Sequence, residues 1–125
     1  MHSLRRGSGP PLVLVHGLGS SHRAWDPVID ELAAERETVA VDLPGHGATA
    51  PLAGETSIAS LADALGDFLR SEGLAGADLA GSSMGARLVL ELARRGHGGA
   101  VVALDPGGFW SPAERRVFGA SVWLS

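Results

Sequence analysis

The chain has 125 residues, of which 45 % are hydrophobic, and a formal net charge of −4. A chain of this length forms one domain that buries roughly two-thirds of the surface its unfolded form exposes. The acidic balance leaves no basic patch, which argues against a nucleic-acid partner, and the lack of cysteine excludes disulfides and thiol chemistry. No apolar run has the length of a signal peptide core or of a membrane span, so we expect a cytoplasmic protein.

Four short apolar runs predict strands, at residues 12–15, 38–41, 77–80 and 100–104. Each run is almost continuously apolar, which is typical of parallel strands that are covered on both faces.

The stretches between these runs predict three helices. In the first, Asp26 is expected as the N-cap and Pro27 as the first helical residue, with one apolar face. The second begins near residues 56–57 and ends at Gly73, and the third covers residues 84–95 and ends at Gly96. Strands alternating with helices predict an α/β fold, a parallel sheet with flanking helices and right-handed crossovers. The residues expected on the apolar faces of the first two helices are Trp25, Val28, Ile29 and Leu32, and Ile58, Leu61, Ala62, Leu65 and Leu69.

The last segment, residues 109–125, predicts one more helix, because Ser111, Pro112 and Glu114 form a capping pattern before an apolar stretch. Such a helix either docks on an open edge of this small sheet or had its partner in residues that are absent, and we favour the second explanation. The sequence therefore divides into a core at residues 1–108 and the beginning of a lid or inter-domain helix at 109–125.

The segment Gly81-Ser82-Ser83-Met84-Gly85 lies between a predicted strand and a predicted helix, the context of a nucleophile elbow. Its turn is so tight that the central residue is strained and the flanking glycines must lack side chains. Strain would lift the Ser83 hydroxyl clear of the sheet, and the Met84 N–H would face an oxyanion formed there. The alternative is a glycine-rich turn that binds a phosphate or nothing, although neither G-x-G-x-x-G nor a P-loop pattern is present.

Two further glycine-rich turns follow predicted strands, at the same edge of the sheet. The loop His16-Gly17-Leu18-Gly19 follows the first strand and can bring a backbone N–H to the same oxyanion. We expect His16 to be a hydrogen-bonded structural histidine. In the turn "DLPGHG", Asp42 and His46 are expected to fix the turn rather than to act in catalysis.

The stretches "VLVHGLGSS", "VAVDLPGHG" and "LAGSSMGARLVLELA", in this order and spacing, resemble the N-terminal portion of a serine-nucleophile α/β-hydrolase over residues 9–108. The resemblance implies Ser83 as the nucleophile, the N–H groups of Leu18 and Met84 as the oxyanion hole, and the strand order 4-3-5-6 in the family's naming. It also implies no cofactor, no metal ligands, and an acyl or ester small molecule as the substrate.

A base for Ser83 is missing from the sequence. The family places an acid and then a histidine after the nucleophile, but His97 follows a helix of about 12 residues and lies roughly 18 Å away. His22 begins the first helix with no acid in view, and His2 is at a free terminus. Asp105 is a candidate acid, although we favour a turn-forming Asp-Pro as its explanation. The family's first hairpin, closing strands and late histidine have no expected counterpart, so the fold is truncated before the last strands and the lid.

The sequence thus predicts a serine hydrolase whose 125-residue chain is inactive by itself. The base would come from a missing C-terminal half or a self-association partner. The alternatives are a non-catalytic remnant or binding module, and an enzyme in which His16 replaces the base.

Overall fold

The computed structural model describes residues 1–106 of the chain. It contains five strands, one 3₁₀ helix and three α-helices within this range. The strands are β1 (Ser3–Arg6), β2 (Pro11–Val15), β3 (Glu37–Val41), β4 (Asp78–Ser82) and β5 (Val101–Leu104). The helices are the 3₁₀ helix His22–Trp25, α1 (Asp26–Ala33), α2 (Ile58–Ser71) and α3 (Met84–Arg94).

The strands form one sheet in the order β1-β3-β2-β4-β5. The four strands β3, β2, β4 and β5 are parallel, which confirms the predicted α/β fold and its local strand order. The carboxyl ends of β2, β3 and β4 therefore lie at one edge of the sheet, where the three glycine-rich turns begin.

The expectation that nothing corresponds to the first hairpin was wrong in part. Strand β1 pairs antiparallel with β3, and Ser3 lies opposite Val41. This strand carries Arg5 and Arg6 and has no apolar run. Its backbone hydrogen bonds to β3, the packing of Leu4 against the core and the ion pairs of its two arginines hold it at the edge. The sheet is consequently mixed, with one antiparallel edge strand.

Two hydrophobic layers explain the continuous apolar runs of the central strands. Val13 and Val15 of β2 pack on the face that α2 and α3 cover, whereas Leu12 and Leu14 pack on the opposite face, against α1. Since successive side chains of a strand point to opposite faces, both registers of β2 must be apolar. The buried residues that α2 and α3 contribute are Leu61, Ala62, Leu65, Phe68, Leu69, Leu88, Val89 and Leu92.

The helix limits agree with the sequence at α2 and α3 and differ at α1. Ser57 caps α2 through a reciprocal pair of hydrogen bonds with Ser60. Helix α1 differs because the 3₁₀ helix leads directly into it, so that Trp25 is the N-cap and Asp26 is already helical. Val28, which was expected on the apolar face, is exposed.

Strand β5 also departs from the expectation of burial on both faces. Val101 and Ala103 pack against the core, whereas Val102 and Leu104 are 53 % and 48 % exposed. Val102 and Leu104 lie on the same face of the sheet as α1. This helix covers that face at β2 and β3 but does not reach β5. The predicted helix and lid at 109–125 lie outside the described residues. Within residues 1–106, no helix is long and apolar enough to cross a membrane.

Candidate active site

The turn from β4 to α3 has the tight geometry that the sequence predicts. Ser83, between the strand and the helix, has φ +56° and ψ −117°, a combination that L-residues rarely adopt. A β-carbon added to Gly81 would lie 2.2 Å from the Gly85 carbonyl oxygen, and one added to Gly85 would lie 2.1 Å from the Val15 carbonyl oxygen. Gly81 is therefore required to close the turn on itself, and Gly85 is required for the turn to pack against the end of β2.

The loop after β2 lies directly against Ser83. A β-carbon added to Gly17 would come within 3.2 Å of the Ser83 Cβ and 3.7 Å of its Oγ. The next residue, Leu18, is exposed, and its N–H donates no hydrogen bond to any residue between 1 and 106. The loop thus has a main-chain donor, one residue beyond the contact with Ser83, that has no acceptor in the described part of the chain.

Two backbone amides belong to the turn itself, those of Ser83 and Met84, and they differ in their hydrogen bonding. The Ser83 N–H donates to the Leu104 carbonyl at 2.9 Å, which extends the pairing of β4 with β5 into the turn. Met84 is the first residue of α3, and the first N–H groups of a helix have no partner within it. The Met84 N–H is thus a donor that the fold leaves available at the turn.

His16 is a structural histidine, as expected. It is fully buried, its Nε2 accepts a hydrogen bond from the Leu43 N–H at 3.0 Å, and its Nδ1 donates to the Gly17 carbonyl at 2.7 Å. Burial lowers the pKa of His16, so the ring is neutral at pH 7. Since accepting a proton at Nε2 would break the bond to Leu43, His16 is poorly suited to replace a general base.

His46 holds the loop that carries Leu18, a role that the sequence did not suggest. The Gly19 N–H donates to His46 Nε2 at 3.0 Å, and His46 Nδ1 donates to the Pro44 carbonyl at 3.0 Å. The rings of His46 and His16 lie 5.0 Å apart between centroids. The sequence places both glycine-rich turns at one edge of the sheet, which suggests that they lie close together. It does not show that Gly19 is the hydrogen-bond partner of His46, which only the structure reveals.

Asp42 lies at the centre of a buried polar cluster. Its carboxylate accepts hydrogen bonds from the N–H groups of His22 and Ala48 at 2.7 and 3.0 Å and contacts the Nδ1 atoms of His22 and His2 at 2.9 and 2.8 Å. Burial opposes ionisation of Asp42, but these hydrogen bonds hold the pKa of its carboxyl well below its usual range. The expectation that His22 has no acid near it was therefore wrong, because the chain brings β3 beside the 3₁₀ helix.

The remaining candidates lie at opposite ends of the sheet. Asp105, with φ +53°, directly follows the residue that accepts the Ser83 N–H, so it lies beside the elbow. His97 lies beyond the far end of α3, with its Nε2 3.2 Å from an Arg70 guanidinium nitrogen. All five histidines of the sequence fall within the described residues, and none of them hydrogen-bonds Ser83.

Comparisons with known proteins agree with this arrangement. The model of the alpha/beta hydrolase family matches residues 12–124. The (E)-2-((N-methylformamido)methylene)succinate hydrolase of Acinetobacter baylyi is 34 % identical over 84 residues, which are 67 % of this chain and 32 % of that protein. The pimeloyl-[acyl-carrier protein] methyl ester esterase of Legionella pneumophila (strain Paris) is 37 % identical over 93 residues, which are 74 % of this chain and 36 % of that protein.

Among solved structures, an esterase from a marine microorganism superposes with a TM-score of 0.82 and 27 % identity, over 98 % of this chain and 49 % of that one. The chain thus spans about half the length of this structural neighbour and about a third of the two curated relatives.

Proposed function

Because the chain belongs to the alpha/beta hydrolase family, we propose that its elbow is the nucleophilic site of a serine hydrolase that acts on an ester or related carbonyl. Ser83 attacks the carbonyl carbon, and the Leu18 and Met84 N–H groups stabilise the oxyanion that forms. Collapse of this intermediate expels the alcohol and leaves an acyl group on Ser83 Oγ. Water then releases the acyl group as the acid.

One observation carries this proposal, namely the backbone of Ser83 at φ +56° and ψ −117°, packed against Gly17. A serine in an ordinary loop would have no need of a strained conformation, and strain at one position in an otherwise regular fold points to function. The two amide donors flank this serine without partners of their own within residues 1–106. Hydrolase and esterase relatives support the same reaction class.

The proposal includes a base from outside the described residues. His16 and His46 use both ring nitrogens in hydrogen bonds, and His97 lies beyond the far end of α3. In a well-studied serine protease, loss of the catalytic serine or histidine lowers turnover about 10⁶-fold and leaves roughly 10³–10⁴ over water. We therefore expect the 125-residue chain by itself to be nearly inactive, with a slow residual reaction at Ser83.

A fluorophosphonate probe tests the nucleophile, because its phosphonylated product is stable and can be located by mass spectrometry. We expect slow labelling of the 125-residue chain at Ser83, and added imidazole should accelerate it by acting as an external base. Ser83→Ala should abolish the labelling, whereas Ser82→Ala, the adjacent matched control, should keep it. Labelling that persists in Ser83→Ala, or that spreads evenly over the serines, would contradict the proposal.

The second candidate function is a non-catalytic module that keeps the fold, and it is favoured by the lack of any histidine against Ser83 within the described residues. Turnover of a short p-nitrophenyl ester separates the two. Multiple turnovers that disappear in Ser83→Ala would exclude the non-catalytic module. A chain that shows no labelling at Ser83, even with imidazole, would contradict a reactive Ser83 and support the non-catalytic module.

A further inference from the structure

Three side chains with metal-binding atoms converge on one point away from the Ser83 turn. They are His2, His22 and Asp42, and their ligating atoms all lie within 4.8 Å of one another. The His2 and His22 Nδ1 atoms lie 2.8 and 2.9 Å from the two different oxygens of the Asp42 carboxylate. The cluster joins three segments that are far apart in sequence: the residue before β1, the beginning of the 3₁₀ helix and the end of β3.

Backbone contacts hold each of these residues in place. The Asp42 N–H donates to the His2 carbonyl at 2.9 Å, and the His2 N–H donates to Thr49 Oγ1 at 2.9 Å. The His22 N–H and the Ala48 N–H each bind one Asp42 oxygen and so orient the carboxylate. Each carboxylate oxygen thus has one backbone N–H and one imidazole Nδ1 as neighbours. Such supporting hydrogen bonds are typical of built metal sites.

We propose that His2, His22 and Asp42 form a binding site for a divalent transition-metal ion of the zinc, cobalt or nickel type. Two imidazole nitrogens and one carboxylate are a donor set that these ions prefer, whereas calcium and magnesium prefer oxygen alone. Zinc bonds to histidine nitrogen and carboxylate oxygen measure about 2.0–2.2 Å, which places neighbouring ligands of a tetrahedral site about 3.3–3.6 Å apart. The nitrogen–oxygen separations of 2.8 and 2.9 Å must therefore open by about 0.4–0.8 Å to accept such an ion, in a cluster whose ligating atoms all lie within 4.8 Å of one another.

Charge and access are both compatible with a bound cation. The Asp42 carboxylate is fully buried and is oriented by two backbone N–H groups, so it would supply the anionic ligand of the site. A neutral imidazole that donates from Nδ1 must move its proton to Nε2 before Nδ1 can bind the ion, and this exchange needs contact with water. His2 is 43 % exposed and borders an open cavity of about 630 Å³, so water and an ion can reach this imidazole.

The bound ion would fasten β1 to the rest of the sheet. His2 lies immediately before this edge strand, which is held by its pairing with β3, by Leu4 packed against the core and by the ion pairs of Arg5 and Arg6. The ion would add a link from the beginning of the strand to Asp42, after β3, and to His22, in the 3₁₀ helix. The expected role is therefore structural. This inference is independent of the hydrolase proposal, since the site shares no residue with the Ser83 turn, and Ser83→Ala should bind the ion as the wild type does.

Titration of the untagged 125-residue chain with Zn²⁺, Ni²⁺ and Co²⁺ by isothermal calorimetry tests the site. We expect one ion per chain, a rise in melting temperature with ion concentration, and visible d–d absorption bands with Co²⁺ from nitrogen and oxygen ligands. His2→Gln and His22→Gln should each weaken binding at least tenfold. His97→Gln is the matched control, because His97 is a histidine at another part of the surface, and it should bind as the wild type does.

Stability in the absence of metal separates loss of the site from loss of the fold. His2→Gln changes a half-exposed side chain, so its metal-free unfolding should stay close to that of the wild type. If the ions do not bind at millimolar concentration, or if His2→Gln and His22→Gln bind them as tightly as His97→Gln, the proposed site is overturned and the cluster is an ordinary hydrogen-bonded one.

Discussion

Replacement of Ser83 by glycine is expected to stabilise the protein, which is the reverse of the usual effect of glycine. Ser83 has φ +56° and ψ −117°, close to the mirror image of an extended residue, and only glycine adopts this region at little cost. The proper reference is Ser83→Ala, which removes the hydroxyl but keeps the β-carbon that causes the strain. The comparison of the two variants therefore isolates the backbone conformation from the chemistry of the serine.

Two opposing terms set the size of the effect. A non-glycine residue held in a sparsely populated backbone region costs about 1–3 kcal/mol. Glycine loses more backbone entropy on folding than alanine does, which costs about 0.5–1 kcal/mol. The difference predicts that the free energy of unfolding of Ser83→Gly exceeds that of Ser83→Ala by about 0.5–2 kcal/mol.

Urea denaturation at 25 °C, followed by tryptophan fluorescence, measures this difference. Ala93→Gly provides the control, because Ala93 is an exposed residue of α3 and its replacement should lower stability by about 1 kcal/mol. We thus expect glycine to raise the free energy of unfolding relative to alanine at residue 83 and to lower it at residue 93. If Ser83→Gly were less stable than Ser83→Ala by an amount similar to the control, the turn would be relaxed in solution, and the structural basis for a nucleophile at Ser83 would be lost.

Two further predictions concern the packing of the turn and a surface ion pair. Gly85→Ala should lower the free energy of unfolding by about 2 kcal/mol or more, because its β-carbon would lie 2.1 Å from the Val15 carbonyl oxygen. Gly76→Ala is the control in the same urea assay. Because Gly76 has open space around it, this variant should change the free energy of unfolding by less than about 0.5 kcal/mol. The hydrogen bonds from Arg94 lower the pKa of Glu91 to about 2, so the stabilising contribution of this carboxylate is present above its ordinary pKa of 4.5 and is lost as the pH falls through 2. A carbon-13 NMR titration should place the Glu91 midpoint near 2 and move it toward 4.5 in Arg94→Gln; an unmoved midpoint would contradict the assignment.

The parts of the fold that depend on burial could be predicted from the sequence. Strand β2 is apolar at every position because its two faces meet two different layers, and this pattern is visible in the residues alone. The turn at Ser83 could also be predicted, since Gly81 and Gly85 have no room for a β-carbon and their spacing records that constraint.

Features that depend on long-range pairing could not be predicted in the same way. Strand β1 has two arginines and no apolar pattern, and only its register with β3 places His2 next to Asp42, 40 residues later. The link between Gly19 and His46 likewise joins two turns 27 residues apart. Asp42 and His46 do hold their turn, as expected, through bonds to Ala48 and Pro44. No local periodicity encodes their long-range contacts, so the sequence did not connect Asp42 with His2 or His22.

The same contrast between local and long-range contacts explains why the described residues contain the proposed oxyanion donors but no histidine that could act as the base. The donors that we propose for an oxyanion are backbone amides, and their loop is positioned by contacts within residues 1–106: Gly17 against Ser83, and the Gly19 N–H on His46. A general base must instead be a side chain that reaches Ser83 Oγ from another segment, and the five histidines are placed elsewhere. Electrostatic stabilisation of the transition state can therefore be preassembled without the base. For this reason external imidazole, which replaces only the missing proton acceptor, should restore part of the reactivity at Ser83.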